Sequence, residues 1–401
     1  MTAASNGPLA GVKVLDLGTM IAGPVAATLL GDFGADVIKI EQPKGGDPIR
    51  QNGPMVDGEG LWWNVEGRNK KSVTLDLRVL EGQRILRDLA AKADVLVENF
   101  RPGTLDKWGI GFAALKEINP RLVMLSISGY GQTGPYAARA AYDRIGLAFS
   151  GLLHITGEAD RPPLRPGTAM ADYQSAIMGA FSVMMSLYHR DAKGGTGQQI
   201  DVSLYESIFR FTDVLITAYD KLGVSRQRGG NLHFAAAPGD HFETSDGRYL
   251  ALTVSSNGVF QRLCKAMGKP ALAEDARFAS HAERWSHIRE INGIVGDWIK
   301  SQPVAEISQA LDTHGLAYSL IYSAAEIAVD PHYEARGTIA TVDNPRIGPL
   351  KIQAPQPRLS ATPAPALRVA PELGAQTDDI LREWLGYSQD KLKSLRNDGV
   401  I

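Results

Sequence analysis

The 401-residue sequence predicts an α/β fold in which a large domain contains a mostly parallel sheet and a second domain is a smaller α+β unit. Short β-rich runs alternate with helical patterns through the first two hundred residues, and this alternation favours βαβ units. Near residue 225 a stretch rich in glycine and arginine is followed by a hairpin pattern and amphipathic helical patterns. Because single cores stop growing at about 250–300 residues, we expect a chain of this length to form two domains.

Apolar runs bounded by turn residues predict the strands, and apolar residues at helical spacing predict the helices. The large domain is expected to contain strands over 12–17, 37–41, 94–99, 122–128 and 198–204, and helices over 24–34, over 81–93, from Asp172 onward and over 205–222. Residues 241–254 predict a hairpin with a Ser-Asp-Gly turn. A proline-rich, extended segment over 348–371 precedes a last helix over 377–385.

Composition and charge exclude several classes of protein. The net charge is −2, with 42 basic and 44 acidic residues well mixed, so we expect no binding to nucleic acid or to an anionic membrane. Cys264 is the single cysteine, and the histidines show no metal-ligand spacing, so neither a disulfide framework nor a metal site is predicted. The apolar segment 176–188 is too short for a membrane helix, and the N-terminus does not resemble a signal peptide, so we expect a cytoplasmic protein.

The turn after the first predicted strand, LDLGTMIAGPVA (15–26), permits two phosphate-binding interpretations. Gly18 and Gly23 have P-loop spacing, but Pro24 and Val25 stand where lysine and a hydroxyl residue are required, which excludes an ATP site. Glu41 lies where a dinucleotide-binding fold keeps its ribose-binding acid, yet G-x-G-x-x-G is absent. A turn in which glycine permits tight packing is therefore favoured over an NAD site.

Basic residues concentrate in GRNKKSVTLDLR (67–78), and ENFRPGTLDKWG (98–109) adds Arg101 and Lys107. Such charge runs are usually solvated surfaces. The alternative is a groove for a multiply phosphorylated ligand, to which arginine offers a bidentate fork and lysine a point charge. Asn99 and Phe100 follow a predicted buried strand, at the end where parallel sheets present ligand contacts.

Asp172 stands at the head of a stretch that is otherwise small or apolar, RPPLRPGTAMADYQSAIMGAF (161–181). One interpretation is a helix N-cap, the commoner use of aspartate at such a position. The other is a reactive group, because Gly167, Ala169 and Ala171 leave room for a ligand and a helix N-terminus keeps a carboxylate ionised. Position alone leaves both interpretations open.

Several blocks together resemble the family III CoA-transferases, the CaiB/BaiF or formyl-CoA transferase-like family, almost from end to end. The blocks are AGP (22–24), GADVIKIEQPKGGDPIR (34–50), RNKKS (68–72), ADVLVENFRPG (93–103), SGYGQTGP (128–135), RPGTAMADY (165–173), GPLKIQAPQPRLSATPAP and PELGAQTDDIL. The resemblance implies an interlocked homodimer. Each chain would have a Rossmann-like CoA-binding domain beginning with 1–224, a small domain over 225–330, and a linker and C-terminal return over 331–401.

The resemblance also implies a CoA-transferase of the EC 2.8.3 type that acts in acyl-CoA metabolism. Asp172 would be the nucleophile that forms an anhydride with the acyl group and then an aspartyl-CoA thioester. Coenzyme A and acyl-CoA would be substrates, with no tightly bound cofactor. Residues matching the family's CoA-binding positions are Ala22, Leu75, Arg78, Asn99, Phe100, Arg101, Lys107, Tyr142 and Asp143. Ile21, Gln42 and Ser128 depart from the formate-specific members, which argues against formate specificity.

Three alternatives stay open at this stage. An α-methylacyl-CoA racemase would need a histidine where Tyr142 stands, and a phenol is a poor proton carrier near neutral pH. The other two are an NAD-dependent dehydrogenase and a non-catalytic CoA-binding protein.

The blocks resemble members that use dicarboxylates, so the acceptor is expected to be a dicarboxylic acid and the donor succinyl-CoA. Four arginines could bind the acid's distal carboxylate or could simply be solvated: Arg139, Arg144, Arg161 and Arg165.

Overall fold

The computed structural model describes residues 7–401, which divide into two compact units. The larger contains residues up to 153 together with 165–224 and 334–401, and the smaller contains 154–164 and 225–333. Residues 154–164, which the sequence places in the first part of the large domain, thus group with the smaller unit. The domain boundaries at 224 and 330 stay predictions.

The strands are β1 (Lys13–Asp16), β2 (Asp36–Glu41), β3 (Met55–Val56), β4 (Glu59–Gly60), β5 (Lys70–Thr74), β6 (Val95–Glu98), β7 (Val123–Ser128), β8 (Gln199–Ser203), β9 (Gly239–Glu243), β10 (Tyr249–Thr253), β11 (Tyr318–Leu320), β12 (Ile339–Asn344) and β13 (Gly348–Gln353). The α-helices are α1 (Ala22–Asp32), α2 (Leu61–Glu66), α3 (Leu80–Ala90), α4 (Thr104–Lys107), α5 (Phe112–Ile118), α6 (Asp143–Phe149), α7 (Leu152–Ile155), α8 (Met170–Ala192), α9 (Leu204–Phe209), α10 (Leu215–Leu222), α11 (Asn257–Ala266), α12 (His281–Ser286), α13 (Ile288–Lys300), α14 (Val304–Thr313), α15 (Ala324–Ile327), α16 (Pro331–Ala335), α17 (Thr377–Leu385) and α18 (Gln389–Asn397). Short 3₁₀ helices cover Pro48–Gln51 and Pro270–Ala273.

The large unit contains a six-stranded parallel sheet in the order β5-β2-β1-β6-β7-β8. Counted along the chain, these strands stand in the order 3-2-1-4-5-6 of a Rossmann fold. The direction of winding reverses between β1 and β6, and in such sheets ligands bind beyond the carboxyl ends of the strands at this reversal. The expected α/β fold with a parallel sheet is confirmed, and the topology marks one place for a site.

Successive strand residues point to opposite sides of the sheet, and each side packs against its own apolar core. Val14 and Val37 face the core formed with α1 and α8, whereas Leu15 and Ile38 face the core formed with α3, α17 and α18. The C-terminal segment joins this unit directly: the backbone N–H of Ser72 donates to the side chain of Gln376 at 2.8 Å.

Two residues of the basic run over 67–78, Arg68 and Lys70, fit neither interpretation offered by the sequence, whereas Lys71 is partly exposed and Arg78 is exposed. Arg68 donates two hydrogen bonds to buried Asp32, at 2.9 and 2.6 Å. Lys70 donates to buried Asp16 at 2.9 Å and to the carbonyl of Pro24 at 2.7 Å. These two cations belong neither to a solvated surface nor to a phosphate groove, because acids distant in sequence neutralise them inside the fold.

Replacing Arg68 with methionine is expected to lower the free energy of unfolding by about 3–5 kcal/mol, since it leaves the Asp32 carboxylate buried without its cation. Urea unfolding of the variant measures this loss. The matched control is Arg84→Met, which removes a solvent-exposed ion pair with Glu81 and should cost less than about 1 kcal/mol. Equal losses in the two variants would contradict the assigned role of Arg68.

The smaller unit contains an antiparallel sheet in the order β11-β10-β9 with α11, α13 and α14 around its core. The predicted hairpin over 241–254 is confirmed as β9 and β10. The single helix predicted over 205–222 is wrong: the chain there forms α9 and α10, and Asp213 between them adopts a left-handed backbone conformation (φ 49°). Within residues 7–401, no helix is long and apolar enough to cross a membrane.

Candidate active site

A cavity of about 400 Å³ opens at the winding reversal of the large unit. Thr19 follows β1, Asn99 follows β6 and Ser128 ends β7, so three neighbouring strands contribute to its wall. The start of α1, the start of α6 and the first turn of α8 complete the lining, and Asp172 belongs to that first turn. The Rossmann strand order therefore delivers Asp172 to the edge where such a sheet presents ligands.

The turn after β1 is closed by glycines, as the sequence predicts. A Cβ at Gly18 would lie 2.7 Å from Cδ of Pro24, and a Cβ at Gly23 would lie 3.0 Å from Cα of Gly18. Asn99 then fixes the next residue from across the sheet, because its side chain accepts from the Thr19 N–H at 2.7 Å and donates to the Thr19 carbonyl at 2.9 Å. The amide of Asn99 thus shapes the cavity wall.

Asp172 is not the N-cap of its helix, which corrects one of the two interpretations. α8 begins at Met170 after Ala169, and Asp172 lies within the first turn. The cap comes from another element: a carboxylate oxygen of Asp143, the first residue of α6, accepts from the Ala171 N–H at 2.7 Å and from the Asp172 N–H at 3.4 Å. Asp143 thus satisfies the backbone donors at this helix end. The Asp172 carboxylate itself has no hydrogen-bond or ion-pair partner among residues 7–401.

Burial raises the pKa of Asp172 to about 7, and repulsion from the Asp143 carboxylate adds to the rise. The sequence led us to expect that the helix N-terminus keeps this carboxylate ionised, but the raised pKa leaves part of the group protonated at neutral pH. A carboxylate with a pKa near 7 is a stronger nucleophile once deprotonated than an ordinary aspartate.

The small residues before Asp172 have different roles. Ala169 lines the cavity. Ala171 is fully buried and packs against Gly146, and Gly167 does not line the cavity. The expected room around the carboxylate thus comes from Ala169 alone among the three. The residue that follows, Tyr173, donates to Glu66 at 2.9 Å and holds the first turn of α8 against α2.

Within residues 7–401, no three histidine, cysteine, aspartate or glutamate side chains are grouped so that they could hold a metal ion. The cavity is lined by no histidine of this part of the chain, and Tyr142 occupies the position at which a racemase would carry one. The histidine that a racemase would use as its second base is therefore replaced by a phenol, a poor proton carrier near neutral pH. What the cavity does hold is a carboxylate suited to covalent catalysis.

A family model described as CoA-transferase family III matches residues 9–377. The chain belongs to this family. It is 42% identical over 398 residues to the β subunit of succinyl-CoA–L-malate CoA-transferase of Chloroflexus aurantiacus, with 98% of each chain covered. It is 40% identical over 395 residues to succinyl-CoA–D-citramalate CoA-transferase of the same bacterium, again with 98% of each chain covered.

The crystal structure of a CaiB/BaiF family protein from Brucella suis superposes with a TM-score of 0.83 at 34% identity. The match covers 94% of this chain and all of that one. This family III CoA-transferase is therefore an enzyme of the EC 2.8.3 type that acts on CoA thioesters, as the resemblance implied.

The structure distributes the predicted CoA-binding residues of this CoA-transferase over several places. Ala22, Asn99, Tyr142 and Asp143 line the cavity with Asp172. Leu75 and Phe100 line a small neighbouring cavity, which shares Thr19 with the first. Arg101 lines a separate polar cavity of about 340 Å³. Arg78 and Lys107 are exposed, and Arg78 is paired with Asp76 at 2.7 Å.

Sequence reasoning missed two features of the site. The capping of α8 by Asp143 joins residues 28 positions apart in sequence, and no local pattern could have indicated it. Ser128 was noted only as a departure from formate-specific members, yet it lines the cavity with a buried hydroxyl that has no hydrogen-bond partner among residues 7–401. Its position at the end of a buried strand was the available signal.

Proposed function

We propose that this protein transfers CoA from succinyl-CoA to a dicarboxylic acid, with Asp172 as the covalent nucleophile. The observation that carries the proposal is the unbonded Asp172 carboxylate in the cavity at the winding reversal. The two relatives from Chloroflexus, named for succinyl-CoA and a hydroxylated dicarboxylic acid, supply the substrate class.

In the first half-reaction a carboxylate oxygen of Asp172 attacks the thioester carbonyl, which forms a mixed anhydride and releases CoA as its thiolate. The thiolate then attacks the aspartyl carbonyl of the anhydride. This step forms an aspartyl-CoA thioester and releases the donor's acid. The thioester energy is retained in a new thioester, so no ATP is consumed.

In the second half-reaction a carboxylate oxygen of the acceptor attacks the aspartyl-CoA carbonyl and again releases the CoA thiolate. The thiolate attacks the acceptor's carbonyl in the resulting anhydride, which yields the new acyl-CoA and restores the Asp172 carboxylate. Because each leaving group is a thiolate or a carboxylate, Asp172 must be deprotonated only at the first attack.

The predicted CoA contacts stay part of the proposal. The thiol end would lie beside Ala22 and Tyr142, with the pantetheine passing Thr19 towards Leu75 and Phe100. Exposed cations at Arg78, Arg101 and Lys107 would then meet the phosphates. Asn99 and Asp143 would contribute by holding the wall and the helix end in place.

The test of the function is a chromatographic assay for new acyl-CoA after succinyl-CoA is mixed with malate, citramalate, glutarate or butyrate. We expect a new CoA thioester with at least one dicarboxylic acid, and little with butyrate. Absence of any new thioester across the panel would overturn the proposed function.

An interlocked homodimer belongs to the same proposal. One face of α8 exposes apolar side chains at helical spacing, and those around α9 and α10 are similarly exposed; the residues are Ile177, Phe181, Met184, Met185, Tyr188, Phe209, Phe211, Ile216, Tyr219 and Leu222. Exposed apolar surface of this extent marks an interaction face. A second copy of the chain is the occupant that the family resemblance implies.

Two pools of protein with different affinity tags test the interlocking. Since interlocked chains cannot separate while folded, we expect dimers that do not exchange subunits when the pools are mixed, and mixed dimers only after joint unfolding and refolding. Light scattering measures the mass, and pull-down through one tag measures the exchange. A folded monomer, or rapid exchange, would contradict this part of the proposal.

A further inference from the structure

Two of the cavity's arginines have no acidic partner in the fold. Arg144 and Arg165 both line the cavity with Asp172, and neither forms an ion pair within residues 7–401. By contrast, the guanidinium of Arg139 stacks on Tyr136 at 3.7 Å, and Arg161 does not line this cavity. The structure thus reduces four candidate arginines to two.

Arg165 is the better positioned of the two. Its Nη2 donates to the carbonyl of Thr168 at 3.1 Å, in the segment that leads into α8. That bond fixes the guanidinium relative to the turn that carries Asp172 and leaves its other donors available. Both arginines are exposed, but Arg144 makes no hydrogen bond within residues 7–401, so ordering it around a ligand costs more side-chain entropy.

Charge balance inside the cavity requires a cation for a dicarboxylic acid. Asp172 and Asp143 already place two acids there. An acceptor whose reacting carboxylate approaches Asp172 brings a second negative charge, which is unfavourable in a partly buried site unless a cation meets it. Arginine is suited to this because its planar fork binds a carboxylate through two parallel hydrogen bonds.

We propose that Arg165 binds the distal carboxylate of both the donor's acyl group and the acceptor, and so selects dicarboxylic acids. The inference rests on the proposed function in that it places the acyl group beside Asp172. Since donor and acceptor acids would occupy the same subsite in turn, Arg165 would act on both half-reactions equally. Arg144 would contribute only general attraction.

Matched substrates test this through catalysis. Succinyl-CoA and butyryl-CoA differ at the distal group, which is a carboxylate in one and a methyl in the other. Arg165→Gln is expected to lower kcat/KM for succinyl-CoA by roughly 10- to 100-fold, the effect of losing one charged hydrogen-bonded pair. The value for butyryl-CoA should stay within about threefold, and the control Arg161→Gln should change neither.

A binding measurement decides the inference independently of turnover. Asp172→Ala protein saturated with CoA is titrated calorimetrically with succinate and with butyrate, and we expect it to bind succinate at least tenfold more tightly. Adding the Arg165→Gln change to this protein should abolish the preference. Equal binding of the two acids, or a preference that survives in Arg165→Gln and disappears in Arg144→Gln, would overturn the assignment. If the preference depends on Arg165 but no acyl transfer occurs, the proposed function fails and the subsite stands.

Discussion

Replacement of Asp172 by asparagine is expected to reduce CoA transfer by roughly 10⁴-fold or more, the scale seen when a covalent nucleophile is removed. An amide nitrogen or oxygen cannot form the anhydride, whereas the shape of the side chain is kept. Steady-state transfer from succinyl-CoA measures the loss, and Asp172→Ala checks that deamidation of the asparagine does not restore activity. CoA binding should persist in both variants. Substantial transfer by either variant would remove Asp172 from the mechanism.

Asp172→Asn is also expected to change the free energy of unfolding in a pH-dependent way. Because burial raises the pKa of Asp172 to about 7 in the folded protein, above its ordinary value of 3.8, folding favours the protonated form. Ionisation therefore costs stability as the pH rises through this window. Asp172→Asn should be more stable than the unsubstituted protein at pH 8, and this advantage should disappear near pH 4. Urea unfolding at the two pH values separates this effect from a simple loss of fold.

The second large effect is expected in the pH dependence of the first half-reaction. Only the ionised Asp172 attacks the thioester, so the rate of acyl-enzyme formation should be constant above about pH 8 and fall about tenfold per pH unit below pH 7. Rapid-quench measurement of CoA release in a single turnover provides the profile. A rate that stays flat down to pH 5 would show that the attacking group has an ordinary carboxylate pKa.

The variant Asp143→Asn tests whether the pH dependence of acyl-enzyme formation comes from the ionisation of Asp172. The asparagine oxygen can still accept from the Ala171 N–H, but the repulsion that helps to raise the pKa of Asp172 is removed. The midpoint should therefore move to lower pH while the rate at pH 8 stays similar. The control is Glu98→Gln: burial raises the pKa of Glu98 also to about 7, yet Glu98 lines a different cavity. A shift in this control, and none in Asp143→Asn, would contradict the assignment.

Much of the large unit could be predicted because its elements are locally encoded. Continuous apolar runs such as VIKIE and LVMLSIS predict buried strands, and their alternation with helices predicts the parallel sheet that the structure contains. Asn99 could also be predicted as a site residue, because it follows the carboxyl end of a predicted buried strand.

What could not be predicted depends on partners distant in sequence. In the sequence Arg68 and Lys70 belong to a run of basic residues, but in the fold Asp32 neutralises Arg68 and Asp16 neutralises Lys70. The elevated pKa of Asp172 likewise depends on Asp143, which only the packing of α6 against α8 brings near. Helical periodicity also predicted one continuous helix over 205–222, because it gives no sign of the left-handed backbone at Asp213 that separates α9 from α10.

The most direct test of the account is to trap the acyl-enzyme. Incubation with succinyl-CoA, followed by hydroxylamine or borohydride and peptide mass analysis, is predicted to modify the peptide that contains Asp172, at that residue and only when the thioester is present. Asp172→Asn protein treated in parallel should remain unmodified. Modification at another residue, or transfer that proceeds with no trapped intermediate, would contradict the mechanism.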